Sequence, residues 1–128
     1  LKIHPYNIVT LNHVGNLYKQ KEDYEEAMKY YQKATEISVK YEAAQLNKAE
    51  IYVQQKNWGE AMRSLLIVSI DSKNEKYLGL LPVVLQQLAG QQGNDRRYPV
   101  ISDYVRARNP KTANDYLRAY FDYRRSIL

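Results

Sequence analysis

Lys21-Glu22-Asp23-Tyr24-Glu25-Glu26-Ala27-Met28 returns thirty-four residues later as Gln55-Lys56-Asn57-Trp58-Gly59-Glu60-Ala61-Met62. An aromatic meets an aromatic and the Ala-Met pair is identical. The register holds outward without a gap: Tyr18 falls on Tyr52, Gly15 on Ala49, Tyr31 on Leu65 and Ala34 on Val68. Self-similarity at this period marks an array of helix pairs, in which each unit buries its apolar face against the next.

The unit reads as two helices and two turns. Residues 8–20 carry Ile8, Leu11, Val14, Leu17 and Tyr18 at helical spacing. Lys21-Glu22-Asp23 is a polar break. A second helix from Tyr24 sets Ala27, Tyr30, Tyr31, Ala34 and Ile37 on one face. The pattern repeats over residues 42–55 and 58–70. Small residues at Gly15, Ala27, Ala49 and Ala61 let helix backbones approach, and Tyr and Trp fill the wedges between them. The thirteen tyrosines, beside one Phe and one Trp, fit this use.

These residues resemble the tetratricopeptide repeat (TPR) family. The first repeat supplies Leu11, Val14, Gly15, Tyr18, Tyr24, Ala27, Tyr31 and Ala34, with Leu11 in the position usually held by Trp. The second supplies Ala49, Tyr52, Trp58 and Ala61, whereas Gln45 and Lys48 replace two usual core residues. Neither unit ends in the usual proline. The resemblance covers residues 8–74 and implies an all-α, TPR-type helical solenoid.

Past Asn74 the pattern fades. Residues 77–89 read as a helix apolar nearly all round, with Pro82 near its start or at a kink. A third unit would put Asp95 where a small residue belongs, so it is degenerate. Gly90-Gln91-Gln92-Gly93-Asn94-Asp95 reads as a loop, followed by a helix from Tyr98-Pro99 to Ala107. Asn109-Pro110 offers an N-cap and a first-turn proline. The last helix then carries Ala113, Tyr116, Leu117, Tyr120, Phe121 and Ile127. The expectation is one helical-repeat domain over residues 1–128: repeats at 8–41 and 42–75, a degenerate pair at 76–108 and a capping helix at 109–128. A chain opening on Leu1 reads as a fragment of a longer protein.

Composition excludes several classes. Of 128 residues, 45% are hydrophobic and 26% charged, which argues against wholesale disorder. No apolar run reaches the roughly 18 residues of a membrane span, so no membrane partner is expected; the cysteine-free composition is compatible with the cytoplasm, which is the expected location. Absence of cysteine removes disulfides and thiolate sites. His4 and His13 lack metal-site spacing. Glu22, Asp23, Glu25 and Glu26 sit at a turn and a helix start, where negative charge suits the helix dipole. Gly90 and Gly93 lack the spacing and the preceding strand of a phosphate loop. The reading is a non-enzyme with no cofactor and no metal.

The net charge of +5 is uneven. Residues 94–128 hold eight basic residues against four acidic ones. Arg96, Arg97, Arg106, Arg108, Arg124 and Arg125, interleaved with Tyr98, Tyr104, Tyr116 and Tyr123, could contact nucleic acid. Asp103, Asp115 and Asp122 interrupt the patch, so nucleic acid is the disfavoured partner.

The TPR resemblance implies instead a peptide or protein segment, bound in the concave groove lined by the first helix of each repeat. Groove-facing positions are Val9, Asn12, His13, Asn16, Lys19 and Gln20 in the first unit. In the second they are Ala43, Leu46, Asn47, Glu50, Val53 and Gln54. Asn12 and Asn16 are one turn apart, with Asn47 one repeat away. Each amide could pair with a peptide C=O and N–H together. Val9, Leu46 and Val53 would add apolar contact, and Lys19 and Glu50 would tune charge. On this reading Asn16→Ala and Asn47→Ala weaken binding and leave the fold intact. Chaperone-binding TPR modules that clamp a C-terminal carboxylate use Asn at the positions of Asn16 and Asn47. They also use cations where this chain has Asn12, Tyr77 and Leu81, so that ligand is set aside. The stretch Leu11-Asn12-His13-Val14-Gly15-Asn16-Leu17-Tyr18 is also similar to bacterial TPR regulators that sense small signalling peptides. Tyr-rich end surfaces leave room for a homo-oligomer.

Overall fold

A computed structural model describes residues 7–90 and 99–127. Among them are seven α-helices and no strand: α1 (Ile8–Gln20), α2 (Tyr24–Ile37), α3 (Glu42–Gln54), α4 (Trp58–Ile67), α5 (Glu75–Gly90), α6 (Pro99–Ala107) and α7 (Ala113–Ser126). The architecture is the all-α, TPR-like helical repeat that the period implies.

The repeat is visible in its turns. After α1 the Glu22 N–H donates to the Lys19 carbonyl at 2.9 Å and the Asp23 N–H to Tyr18 at 3.0 Å. After α3 the Lys56 N–H donates to Val53 at 3.0 Å and the Asn57 N–H to Tyr52 at 2.8 Å. Both are Schellman closures. Each then hands over to an N-cap: Asp23 Oδ1 accepts from the Glu26 N–H and Asn57 Oδ1 from the Glu60 N–H. The closure requires a left-handed residue, and Glu22 (φ 60°) and Lys56 (φ 59°) take that conformation without being glycine. Glu22→Gly should therefore stabilise the protein by about 0.5–1 kcal/mol, because relief of the left-handed strain exceeds the entropic cost of glycine. Urea denaturation reads the change, and an unchanged midpoint would show that the turn carries no strain.

Packing follows chain order: α1 on α2, α2 on α3, α3 on α4, α4 on α5. Then α5 packs against both α6 and α7, and those two pack on each other. In the first unit Leu11, Ala27, Tyr31 and Ala34 are buried as the pattern requires. The largest core runs from Leu46, Ala49, Ala61 and Leu65 through Tyr77, Leu81, Leu85 and Leu88 to Ile101, Val105, Ala119 and Tyr120. Tyr31, Tyr77 and Tyr120 are fully buried, while Tyr18 and Tyr30 stack with centroids 5.6 Å apart.

Several boundaries differ from expectation. The fourth helix stops at Ile67 rather than 70. Val68 turns extended, and Ser69 and Ser72 hydroxyls accept from the Asp71 and Asn74 N–H groups, so side chains compete with the helical ladder there. Pro82 lies in the interior of α5, not at its start, and is buried. It leaves the Leu78 carbonyl without its usual donor, and packing of Tyr77, Leu81, Val84, Leu85 and Leu88 holds the helix. The last helix begins at Ala113, not Pro110. Thr112 is its N-cap in a reciprocal capping box with Asp115, and Asn109 is left-handed at φ 50°. Backbone donors at Lys111 and Thr112 hold the Asp115 carboxyl below the usual carboxylate range. Among the residues assigned to buried stripes, Leu17, Ile37 and Ile127 are exposed, as is Ala113. Of the loop assigned to residues 90–95, Gly90 closes α5 and the rest lies outside the described residues.

Candidate functional site

On α1, Asn12, Asn16 and Lys19 stand at i, i+4 and i+7, hence on one helix face. On α3, Asn47 and Glu50 are three apart. The N-terminal turn of α5 brings Lys76. These six side chains, from the first helix of three successive pairs, form one polar cluster.

Asn47 is its hub. Its Nδ2 donates to Asn12 Oδ1 at 2.9 Å and to Asn16 Oδ1 at 3.1 Å. Its Oδ1 accepts from Lys19 Nζ at 3.3 Å and from Lys76 Nζ at 2.9 Å. Both amide protons and both lone pairs are engaged. Glu50 Oε1 bridges the same ammonium groups, at 2.6 Å from Lys19 and 3.4 Å from Lys76. Behind them the Tyr31 hydroxyl donates to Asn16 Oδ1 at 2.6 Å. Burial, with the Glu50 charge nearby, pushes the Tyr31 phenol up to about 12. Burial alone would raise the Glu50 carboxyl, but Lys19 and Lys76 outweigh it and hold the group below its ordinary value.

The asymmetry of this network decides what it can offer. Asn12 and Asn16 spend their oxygens on Asn47 and Tyr31. Among the described residues no partner takes the Nδ2 donors of either. Asn12 is 8% exposed and Asn16 is half-buried. The face therefore presents amide N–H groups and ammonium groups, not the paired donor and acceptor expected of each asparagine.

The other assigned positions divide. Val9, His13, Gln20 and Gln54 are exposed, and Ala43 is half-buried. Val53 is half-buried and packs on the main core. Leu46 is a correction: at 2% exposure it belongs to the core and offers no groove surface. Its helical position turns it toward α4 and α5 rather than outward. Asn47, at 5% exposure, is likewise a buried linker. Lys76 is the residue that sequence reasoning missed. The tested third-repeat positions were Tyr77 and Leu81, both fully buried. One and two repeats before Lys76 stand Glu42 and Ile8, neither of them a groove position, so the repeat register carries no signal for it.

Three of the C-terminal basic residues, Arg106, Arg108 and Arg124, are engaged within the protein. Arg106 donates to the Ala89 carbonyl at 2.9 Å and pairs with Asp103 at 2.8 Å. The Arg108 guanidinium lies 3.5 Å from the Tyr104 ring centroid, and Arg124 donates to the Tyr120 hydroxyl at 3.0 Å. His4, Arg96, Arg97 and Tyr98 lie outside the described residues. Among the described residues no group of three or more His, Asp or Glu could hold a metal ion, and no helix is long and apolar enough to cross a membrane.

Comparison with known proteins agrees with the geometry. Residues 8–41 match the family model of the tetratricopeptide repeat. No curated protein and no solved structure matches the chain. The matched segment is the α1–α2 pair, with the turn inside it and the turn that follows it. Repeats of this type are typically non-catalytic and serve as protein-interaction modules. Residues 8–41 thus match a tetratricopeptide repeat, set in a chain whose described residues form an all-α array of seven helices.

Proposed function

We propose that the face formed by α1, α3 and α5 binds an extended peptide or partner segment through its main chain. The observation that carries this reading is the pair of unspent amide donors, Asn12 Nδ2 and Asn16 Nδ2, one turn apart beside Lys19 and Lys76. Two such donors suit two main-chain carbonyls on one edge of an extended strand, two residues apart, which they hold without regard to its side chains. Lys19 and Lys76, offset by the single carboxylate of Glu50, leave the cluster one positive charge in excess. That excess favours segments carrying an acidic group near the bound carbonyls. Val9 and His13 supply exposed surface alongside on α1.

The test exploits the network's geometry. Asn16→Asp and Asn12→Asp keep the oxygens that Asn47 and Tyr31 use and delete the outward donors. A peptide-array screen identifies a binding sequence with the wild-type chain, and each variant is then titrated with it. Each should bind about tenfold or more weakly, a loss of roughly 1.4 kcal/mol, with helical circular dichroism unchanged. Equal affinity in both variants would overturn the assignment.

A further inference from the structure

Gln45 and Lys48, the two positions at which the second repeat departs from the apolar TPR pattern, line a single cleft. It lies between α2, α3 and α4 and holds about 350 Å³, at the small end of ligand-sized pockets. At 100° per residue, Gln45, Lys48 and Tyr52 lie on the side of α3 opposite Asn47 and Glu50, so this cleft is separate from the amide cluster. Its floor is polar. Of six buried polar residues among those described, Thr35 (8% exposed), Gln45 (2%) and Ser64 (4%) all line it.

Neither of the two departures is fully satisfied among the described residues. Gln45 Nε2 donates to the Val39 carbonyl at 2.7 Å, which fixes the orientation of the amide. Its Oε1 is buried, with no donor among the described residues. A buried acceptor left in this state costs about 1–3 kcal/mol. Among the described residues Lys48 Nζ has no carboxylate within ion-pair distance, and its hydrogen-bond partner there is the Thr35 hydroxyl at 3.5 Å. Burial, then the Arg63 charge, press the Lys48 ammonium below its ordinary pKa, against the pull of Glu60 and Glu36. A repeat that needed only packing would place apolar side chains at both positions. The cleft instead holds a cation with no carboxylate partner among the described residues, with Glu36 and the Arg63–Glu60 ion pair (4.0 Å) on its walls. Two cations and two carboxylates sum to zero, which admits a neutral ligand with separated charges more readily than a dianion.

We propose that this cleft is a binding site for a small zwitterion of the amino-acid class, its carboxylate on Lys48 and its ammonium toward the exposed carboxylate of Glu36. The experiment is a ¹H–¹⁵N NMR titration of the whole chain with single amino acids up to about 20 mM. Acetate and an alkylammonium salt serve as the two halves of the ligand. At least one amino acid should give saturable shifts at amides around Val39, Lys48 and Arg63. Each half alone should bind about tenfold or more weakly. Lys48→Met, which restores an apolar residue of similar length, should keep the fold and abolish the saturation. Asn16→Asp, in the other site, should leave it unchanged. Absence of saturation with every amino acid, an equal response to acetate, or saturation that survives Lys48→Met would each overturn the proposal.

Discussion

Gly15→Ala destabilises the protein by about 2 kcal/mol, and Gly79→Ala, made in another helix of the same chain, does not. Both glycines lie inside helices, where alanine is ordinarily favoured by about 1 kcal/mol. Space reverses the sign at Gly15. A Cβ there would meet Tyr31 Cε1 at 2.5 Å and Cδ1 at 2.8 Å. Tyr31 cannot swing aside freely, because it is fully buried and its hydroxyl is tied to Asn16. Overpacking of this kind costs about 1–3 kcal/mol beyond any propensity gain. At Gly79 an added Cβ meets nothing within 4 Å, so Gly79→Ala should be neutral or gain up to about 1 kcal/mol. Thermal unfolding should show Gly15→Ala lowered by several degrees, on the order of 4 °C per kcal/mol, with Gly79→Ala at or above the wild type. Two variants that move together would remove the α1–Tyr31 contact as the cause.

That contact explains why the repeat was legible in one dimension. The small residue at 15 and the aromatic at 31 are complementary partners across a helix pair, so the pattern records a packing event. Where complementarity holds, as in Leu11, Ala27, Tyr31 and Ala34, residue type and burial agree. The turn after α1 was legible as a polar break, but the left-handed Glu22 was not, since nothing in its residue type asks for positive φ. The terminal helix began three residues late because Thr112 and Asp115 satisfy each other through two reciprocal bonds, a closer match than the single cap offered by Asn109. At the candidate site, asparagines on one face of α1 and α3 could be read from spacing. The use of their oxygens could not. Asn47 and Asn12 are thirty-five residues apart, and whether they touch depends on the rotation of α3 about its axis, which spacing within one helix does not set. Leu46 failed for the same reason: one helical position decides whether it faces outward or into α4 and α5.

Asn47→Ala should cost about 2–3 kcal/mol, contrary to the expectation that it spares the fold. The substitution removes two donated and two accepted hydrogen bonds at once, and it strands Asn12 Oδ1, which sits in a residue only 8% exposed. An acceptor left buried without a donor loses about 1–3 kcal/mol by itself. Lys19 and Lys76 keep Glu50 as a partner, so the loss falls mainly on the asparagines. Asn47→Asp separates stability from binding. Its carboxylate still accepts from both lysines and gains charge-assisted bonds with them. It can no longer donate to Asn12 and Asn16, whose amides must turn their N–H groups inward to meet it. Urea denaturation should therefore place Asn47→Asp nearer the wild type than Asn47→Ala. Titration with the array-identified peptide should nevertheless show the loss of affinity expected for Asn16→Asp, because the outward donors are gone in both. An Asn47→Asp protein that is well folded and binds as tightly as wild type would mean that the face recognises its partner by charge and shape alone, since Asn47 is what holds those two N–H groups toward solvent.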